Sequence, residues 1–212
     1  MTHQSDPHYV YGITEPDELV LDIAAINGSE EVTTMQHREL GVLVSRVSST
    51  EIDRTDENLK AHDRVLREAL THGDGRTVVP MRYGMVFSNQ TTLKTVLDGA
   101  YRSLRNSLDE LAETVELGIK VVGGTNGSPD RDEIERAAAN TVDPISLAAV
   151  DNELFSDRLL LNRSYLVRRD DQDQFGEAVA NFEEQASAET TVQYTGPWAP
   201  YNFVDIEIGA QR

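Results

Sequence analysis

The stretch TVVPMRYGMVF, residues 77–87, decides how the chain divides. Its valines, methionines and phenylalanine favour a strand, but Pro80 and Gly84 lie inside it. Proline cannot donate to a strand ladder, and glycine weakens a strand interior, so a regular central strand does not fit. The stretch reads instead as a strand broken by a kink or bulge. The longest helical pattern of the chain begins a few residues later, so a domain boundary is expected just after Phe87. The expected division is an N-terminal α+β domain over residues 1–88, a C-terminal domain with a long leading helix over 89–208, and a short tail over 209–212.

Upstream, HYVYGIT (residues 8–14) alternates as a strand does. A short helix is expected next, with Pro16 in its first turn and Leu19, Val20 and Ile23 as its apolar stripe, ended by Asn27-Gly28. Strands are expected over 31–36 and 40–47. A second helix starts near Thr55, which can cap it, with Asp56 and Glu57 suited to the positive helix end. Leu59, His62, Val65, Leu66, Ala69 and Leu70 form its buried stripe, and HGDG (residues 72–75) turns the chain.

Downstream, Leu93, Leu97, Tyr101, Leu104, Leu108, Leu111 and Val115 recur at alternating spacings of four and three. That seam predicts a helix over 91–116. Strand 119–122, the loop GGTNGSPD (123–130) and a helix from Arg131 interrupted at Asp143-Pro144 follow. A strand over 158–167, a helix over 171–186, and strands over 191–194 and 202–208 paired as a hairpin complete the chain. Irregular interleaving of strands and helices gives an α+β class with antiparallel sheets.

Composition excludes whole classes of function. The chain of 212 residues carries Asp+Glu 37 against Lys+Arg 19, a net charge of −18. Only Lys60, Lys94 and Lys120 are lysines; the other basic residues are arginines. Such a chain will not track a phosphate backbone, so no nucleic-acid partner is expected. Its self-repulsion is largely screened only when the Debye length falls to about 3 Å, at molar salt. A salt-loving host is expected, the alternative being a merely acidic mesophilic protein. No apolar run approaches the roughly 20 residues of a membrane span, and no lipid membrane partner is expected. The N-terminus lacks a basic start followed by an apolar core, so a cytoplasmic protein is expected. The absence of cysteine removes disulfides and thiolate chemistry.

Catalytic and metal signals are missing. GGTNGS lacks the P-loop lysine and the dinucleotide spacing and reads as a turn. No G-x-S-x-G elbow occurs. The five histidines show no metal spacing. His62 shares a stripe with Leu59 and Leu66, which suits a hydrogen-bonded core histidine. Asp170, Asp171 and Asp173 suit a solvated helix start better than a cation site. No cofactor, no metal and no catalytic residue is assigned.

TGPWAPYNFV (residues 195–204) stands out, with the sole tryptophan between two prolines. Proline fixes φ and preorganises an extended backbone, presenting Trp198, Tyr201 and Phe203 at little ordering cost. Aromatic residues concentrate at interface centres. The competing reading makes Trp198 a core plug, and the two coexist if Trp198 is buried and Tyr201 is not.

TVVPMRYGMVF together with GPWAPYNFV resembles the gas vesicle protein F/L family, GvpF/GvpL. YVYGI, LKAHDRVL and VELGIKV fit the same family in the same order, and the resemblance spans essentially the whole chain. PMRYG and GPW-x-PYNFV are its specific signatures. The chain departs from them at Ala199, where the family often has a second proline, and at Tyr83, where phenylalanine is commoner. The compact length and minimal tail favour F over its paralogue L.

The resemblance implies a non-enzymatic accessory or minor structural protein of gas vesicles, with two α+β domains, the second ferredoxin-like. It implies as partners the small hydrophobic shell protein and other gas vesicle accessory proteins. Partner-binding candidates are Trp198, Tyr201, Phe203, Met81, Arg82 and Tyr83. Arg82, set among apolar residues, is expected to be partly buried and paired with a carboxylate. The alternative is a small-molecule enzyme using Arg82 and nearby carboxylates.

Overall fold

The computed structural model describes residues 7–124, 130–186 and 189–204. The chain forms two compact units. Unit 1 comprises Met1–Ala112 and Ala199–Arg212, and unit 2 comprises Glu113–Trp198. Both are α+β with antiparallel sheets, as expected.

Unit 1 is built on a sheet of β1 (His8–Thr14), β2 (Val20–Asp22), β3 (Glu31–His37), β4 (Leu40–Arg46), β5 (Val79–Pro80) and β6 (Val86–Phe87). Their order is β2-β3-β4-β1-β5, with β6 also on β1. The 77–87 stretch is broken, as its proline and glycine demand. Two short strands leave a loop between them, and both pair with β1, at Gly12↔Pro80 and His8↔Phe87. Gly84 turns the chain in that loop at φ +88, a conformation that side chains with a Cβ rarely adopt. Gly12 is needed for another reason: a Cβ there would lie 2.9 Å from both the Val79 carbonyl oxygen and Leu66 Cδ2.

The segment expected as a short helix is the strand β2. Leu19 and Leu21 are buried while Val20 and Asp22 are exposed, a period of two. A single turn or two of helix is marginal alone. The ladder to β3 and the Leu19 N–H donating to Thr34 Oγ1 at 2.9 Å decide the outcome.

Helix α1 (Asp56–Thr71) starts at Thr55, whose hydroxyl accepts from the Asn58 N–H. It buries Ala61, His62, Val65, Leu66, Ala69 and Leu70. Helix α2 (Gln90–Glu110) is capped by Asn89, which accepts from the Thr92 N–H, and buries Leu93, Leu97, Leu104 and Leu108. It stops six residues short of its predicted end, because Glu113 takes φ 56 and from Val115 the apolar residues alternate. Two periods overlap at Leu111 and Val115, and the strand period wins.

The unit boundary therefore lies at Ala112, not after residue 88. The leucine stripe of α2 packs on β1, β5 and β6, which fixes the helix to unit 1. The C-terminal segment also moves: residues from Ala199 belong to unit 1. The expected strand over 202–208 is replaced at its start by a 3-10 turn at Tyr201–Phe203, and positions 205–208 lie outside the described residues.

Unit 2 runs β7 (Thr114–Gly123), α3 (Arg131–Thr141), β8 (Ala148–Asp151), β9 (Leu159–Arg168), α4 (Gln172–Gln185) and β10 (Thr190–Trp198). The βαββαβ order and the sheet order β10-β7-β9-β8 make it ferredoxin-like. Asp143-Pro144 ends α3 in a 3-10 turn. Leu117, Ile119, Val121, Leu161, Tyr165 and Val167 share one face of the sheet, and Phe175 of α4 meets Tyr165 at 5.2 Å between ring centroids. β8 escaped the sequence reading: four residues, two of them alanine, carry no strand signature until β9 lies beside them.

Candidate partner-binding site

Three elements of unit 1 bring the aromatic residues together. The alternating strand β1 supplies Tyr9 and Tyr11, both fully buried. Helix α1 supplies His62 and, next to it, Asp63. The loop between β5 and β6 supplies Tyr83. Tyr9 and Tyr11 lie 4.7 Å apart between ring centroids, and His62 lies 5.6 Å from each. Tyr83 stands edge-on to His62 at 5.8 Å and to Tyr9 at 6.1 Å. Tyr201, on the returning C-terminal segment, covers His62 at 6.4 Å.

Hydrogen bonds hold the polar ends. The Gly84 N–H donates to the Tyr9 hydroxyl at 3.1 Å, and that hydroxyl lies 2.8 Å from His62 Nδ1. The Tyr11 hydroxyl accepts from the Ile26 N–H at 3.1 Å and lies 2.8 Å from Ser45 Oγ. Burial lowers the His62 pKa from its ordinary value to about 4, with the Met81 backbone acting weakly in the other direction. The imidazole is therefore neutral near pH 7, and Nδ1 can accept from Tyr9. Burial raises the Tyr9 hydroxyl well above its ordinary range and raises the Tyr11 hydroxyl as well, so both stay protonated.

The outer rim is different in character. Tyr201 is 39% exposed, and its hydroxyl donates to Asp63 Oδ1 at 3.3 Å. Partial desolvation raises the Asp63 carboxyl, and the bond from Tyr201 opposes that shift. Tyr83 is half-buried, its hydroxyl donates to the Asp53 carbonyl at 2.7 Å, and the Arg54 guanidinium lies 5.9 Å from its ring. Two tyrosines thus flank a neutral histidine, with their apolar faces partly open to solvent.

The six residues singled out from the sequence separate here. Tyr83 and Tyr201 meet around His62. Met81 lies beneath, 4% exposed, its N–H donating to the Tyr11 carbonyl at 2.9 Å. Phe203 is half-buried, with its N–H donating to the Pro200 carbonyl at 3.1 Å. Trp198 ends β10 in unit 2, opposite Glu116, and is half-buried. Ala199 and Pro200 are buried.

Arg82 is exposed and has no ion pair among the described residues, which corrects the expected buried pair. The kink that turns Met81 inward turns the next side chain outward.

The sequence reading missed Tyr9, Tyr11 and Asp63 as parts of this cluster and placed His62 only as a core residue. Tyr9 and Tyr11 lie on a strand buried along its whole length, and the meeting of this cluster with residue 201 depends on a return of the chain that spacing does not encode.

A gas vesicle family model, described as gas vesicle synthesis protein GvpL/GvpF, matches residues 7–126 and 126–205. The chain belongs to the GvpL/GvpF family. It is 46% identical over 208 residues to gas vesicle protein F of Haloferax mediterranei, covering 98% of each chain. It is 45% identical over 204 residues to gas vesicle protein F1 of Halobacterium salinarum, covering 96% of this chain and 95% of the relative.

In solved structures, GvpF of Anabaena superposes with a TM-score of 0.85 at 19% identity, over 96% of this chain and 98% of that one. GvpF of Microcystis aeruginosa gives 0.82 at 16% identity, over 95% and 100%. These likenesses establish a shared GvpF fold. The haloarchaeal relatives accord with the salt-loving reading of the −18 charge. Among the described residues no helix is long and apolar enough to cross a membrane.

Proposed function

We propose that this protein is a gas vesicle accessory or minor structural protein that binds the small hydrophobic shell protein and assists vesicle assembly, working in the cytoplasm and at the vesicle. Other gas vesicle accessory proteins are further partners in this reading. A soluble partner that covers an aggregation-prone apolar surface until assembly is physically sensible. Family membership supports the vesicle role. The observation that carries the binding role is the half-open pair Tyr83 and Tyr201 around neutral His62, an aromatic patch with little charge at its centre.

In a salt-rich cytoplasm long-range attraction is screened, whereas apolar association survives and excluded salts strengthen it. Tyr201 is the anchor to test, since its ring is exposed and its removal leaves Tyr9 and His62 bonded to each other. A buried aromatic anchor contributes at least about 2 kcal/mol to an interface, roughly thirtyfold in affinity. Binding of the shell protein at molar salt should weaken by about that factor in Tyr201→Ala, with the circular dichroism unchanged. Parental affinity in the folded variant, or binding that vanishes as salt is raised, would show that another surface or an ionic contact carries the interaction.

A further inference from the structure

The two edges of the unit 2 sheet are unequal. At one end β10 is guarded: its register shifts between Thr195 and Trp198, and Pro197 sits within it. Bulges and prolines are devices that keep an edge from pairing. At the other end β8 has no neighbour beyond β9 among the described residues. It contains no lysine and no proline, and Leu147, Ala148 and Ala149 are exposed, Leu147 at 50%. Phe155, in the connection that follows, is 73% exposed.

The charge of β8, on Asp151, stays largely exposed and pairs with a side chain of the neighbouring β9. Asp151 accepts from Arg163 Nε at 2.6 Å, and the same guanidinium reaches Asp143 at 3.3 Å. One cation therefore faces two carboxylates, and exposed Glu153 and Asp157 add to the negative field beside the edge.

We infer that β8 is a docking edge, taking an extended, uncharged apolar segment of another polypeptide by strand addition. The chemistry of that segment follows from the register. Ala148 and Val150 stand opposite Leu166 and Ser164 on one face, while Ala149 stands opposite Tyr165 on the other. Apolar side chains thus emerge on both faces, so an added strand is apolar on both faces instead of alternating. The Asn152 N–H bonds the Asn162 carbonyl at 2.7 Å, so in the alternation of an antiparallel ladder the N–H of Ala149 points away from β9. The unneutralised carboxylates select a segment with neutral or basic flanks and disfavour a second copy of this chain.

The test uses the full chain at molar salt and a short capped peptide of valine and alanine, apolar on both faces, with a lysine at each end. Ala149→Pro removes the outward N–H, which an edge strand tolerates, and should weaken peptide binding roughly tenfold or more while β9 amides stay protected from exchange. Leu147→Lys, which guards the edge without touching its backbone, should act in the same direction. In the parent, the peptide should slow exchange at the Ala149 amide. Equal binding by parent and both variants, or protection elsewhere only, overturns the inference. A parent that dimerises at molar salt and is made monomeric by Ala149→Pro also overturns it, by making the occupant a second copy. Tyr201→Ala should leave peptide binding unchanged, so this edge and the aromatic patch fail separately.

Discussion

The two units bury different chemistry. Unit 1 places Tyr9, Tyr11 and His62 at its centre, each with a polar atom held by a hydrogen bond. Unit 2 centres on Phe175, Phe182 and Tyr165, with no buried imidazole among its described residues, and keeps its Arg163 ion pairs beside a sheet edge. The hydrogen-bonded core depends on one imidazole staying neutral. The core of unit 2 has no such dependence. The acid sensitivity that comes from a buried neutral imidazole therefore belongs to unit 1, through His62.

Salt is the largest lever and acts on the net charge of the whole chain. Thermal unfolding should rise steeply from low to molar salt as repulsion of the −18 charge is screened. Trp198 fluorescence follows unit 2, and the His62 imidazole resonances follow unit 1. Both should report the gain. A melting temperature that does not move with salt would end the halophilic reading.

The second effect separates the units. His62 binds its proton near pH 4 when folded and near 6.5 when unfolded. Between those values the unfolded chain holds more protons, so stability falls as pH drops from 6.5 and the loss is complete near 4. The loss amounts to about 3 kcal/mol. Because its cause is burial, it should persist at molar salt. His62→Gln should flatten the slope. A slope unchanged in that variant, or a His62 titration near its ordinary value, would erase the contrast between the two cores.

The smallest effect concerns Arg82. An exposed side chain without an ion pair should tolerate replacement, and Arg82→Ala should change stability by no more than about 0.5 kcal/mol. Differential scanning calorimetry decides it. A loss of several kcal/mol would restore the buried pair expected from its apolar neighbours.

Legibility followed how local each signal was. Thr55 announced α1 because a cap and an acidic first turn act within four residues. The break in 77–87 was readable because proline and glycine restrict their own backbone. β2 and β8 were not readable, since each is made a strand by a partner remote in sequence: Val32 and Thr33 for one, Leu166 and Tyr165 for the other. In the candidate site, residues 83 and 201 could be singled out by composition, but their convergence on His62 could not.

By itself the sequence determined the α+β class, the family and the acidic charge balance. These rest on periodicity, specific motifs and net charge, which are sums over the chain and need no coordinates. Tertiary structure alone decided that α2 belongs to unit 1, that the chain returns at Ala199 to lay Tyr201 over His62, and that Arg82 faces solvent. The reason is that burial is a property of place: a leucine seam or an arginine among valines has no inside until other elements supply one.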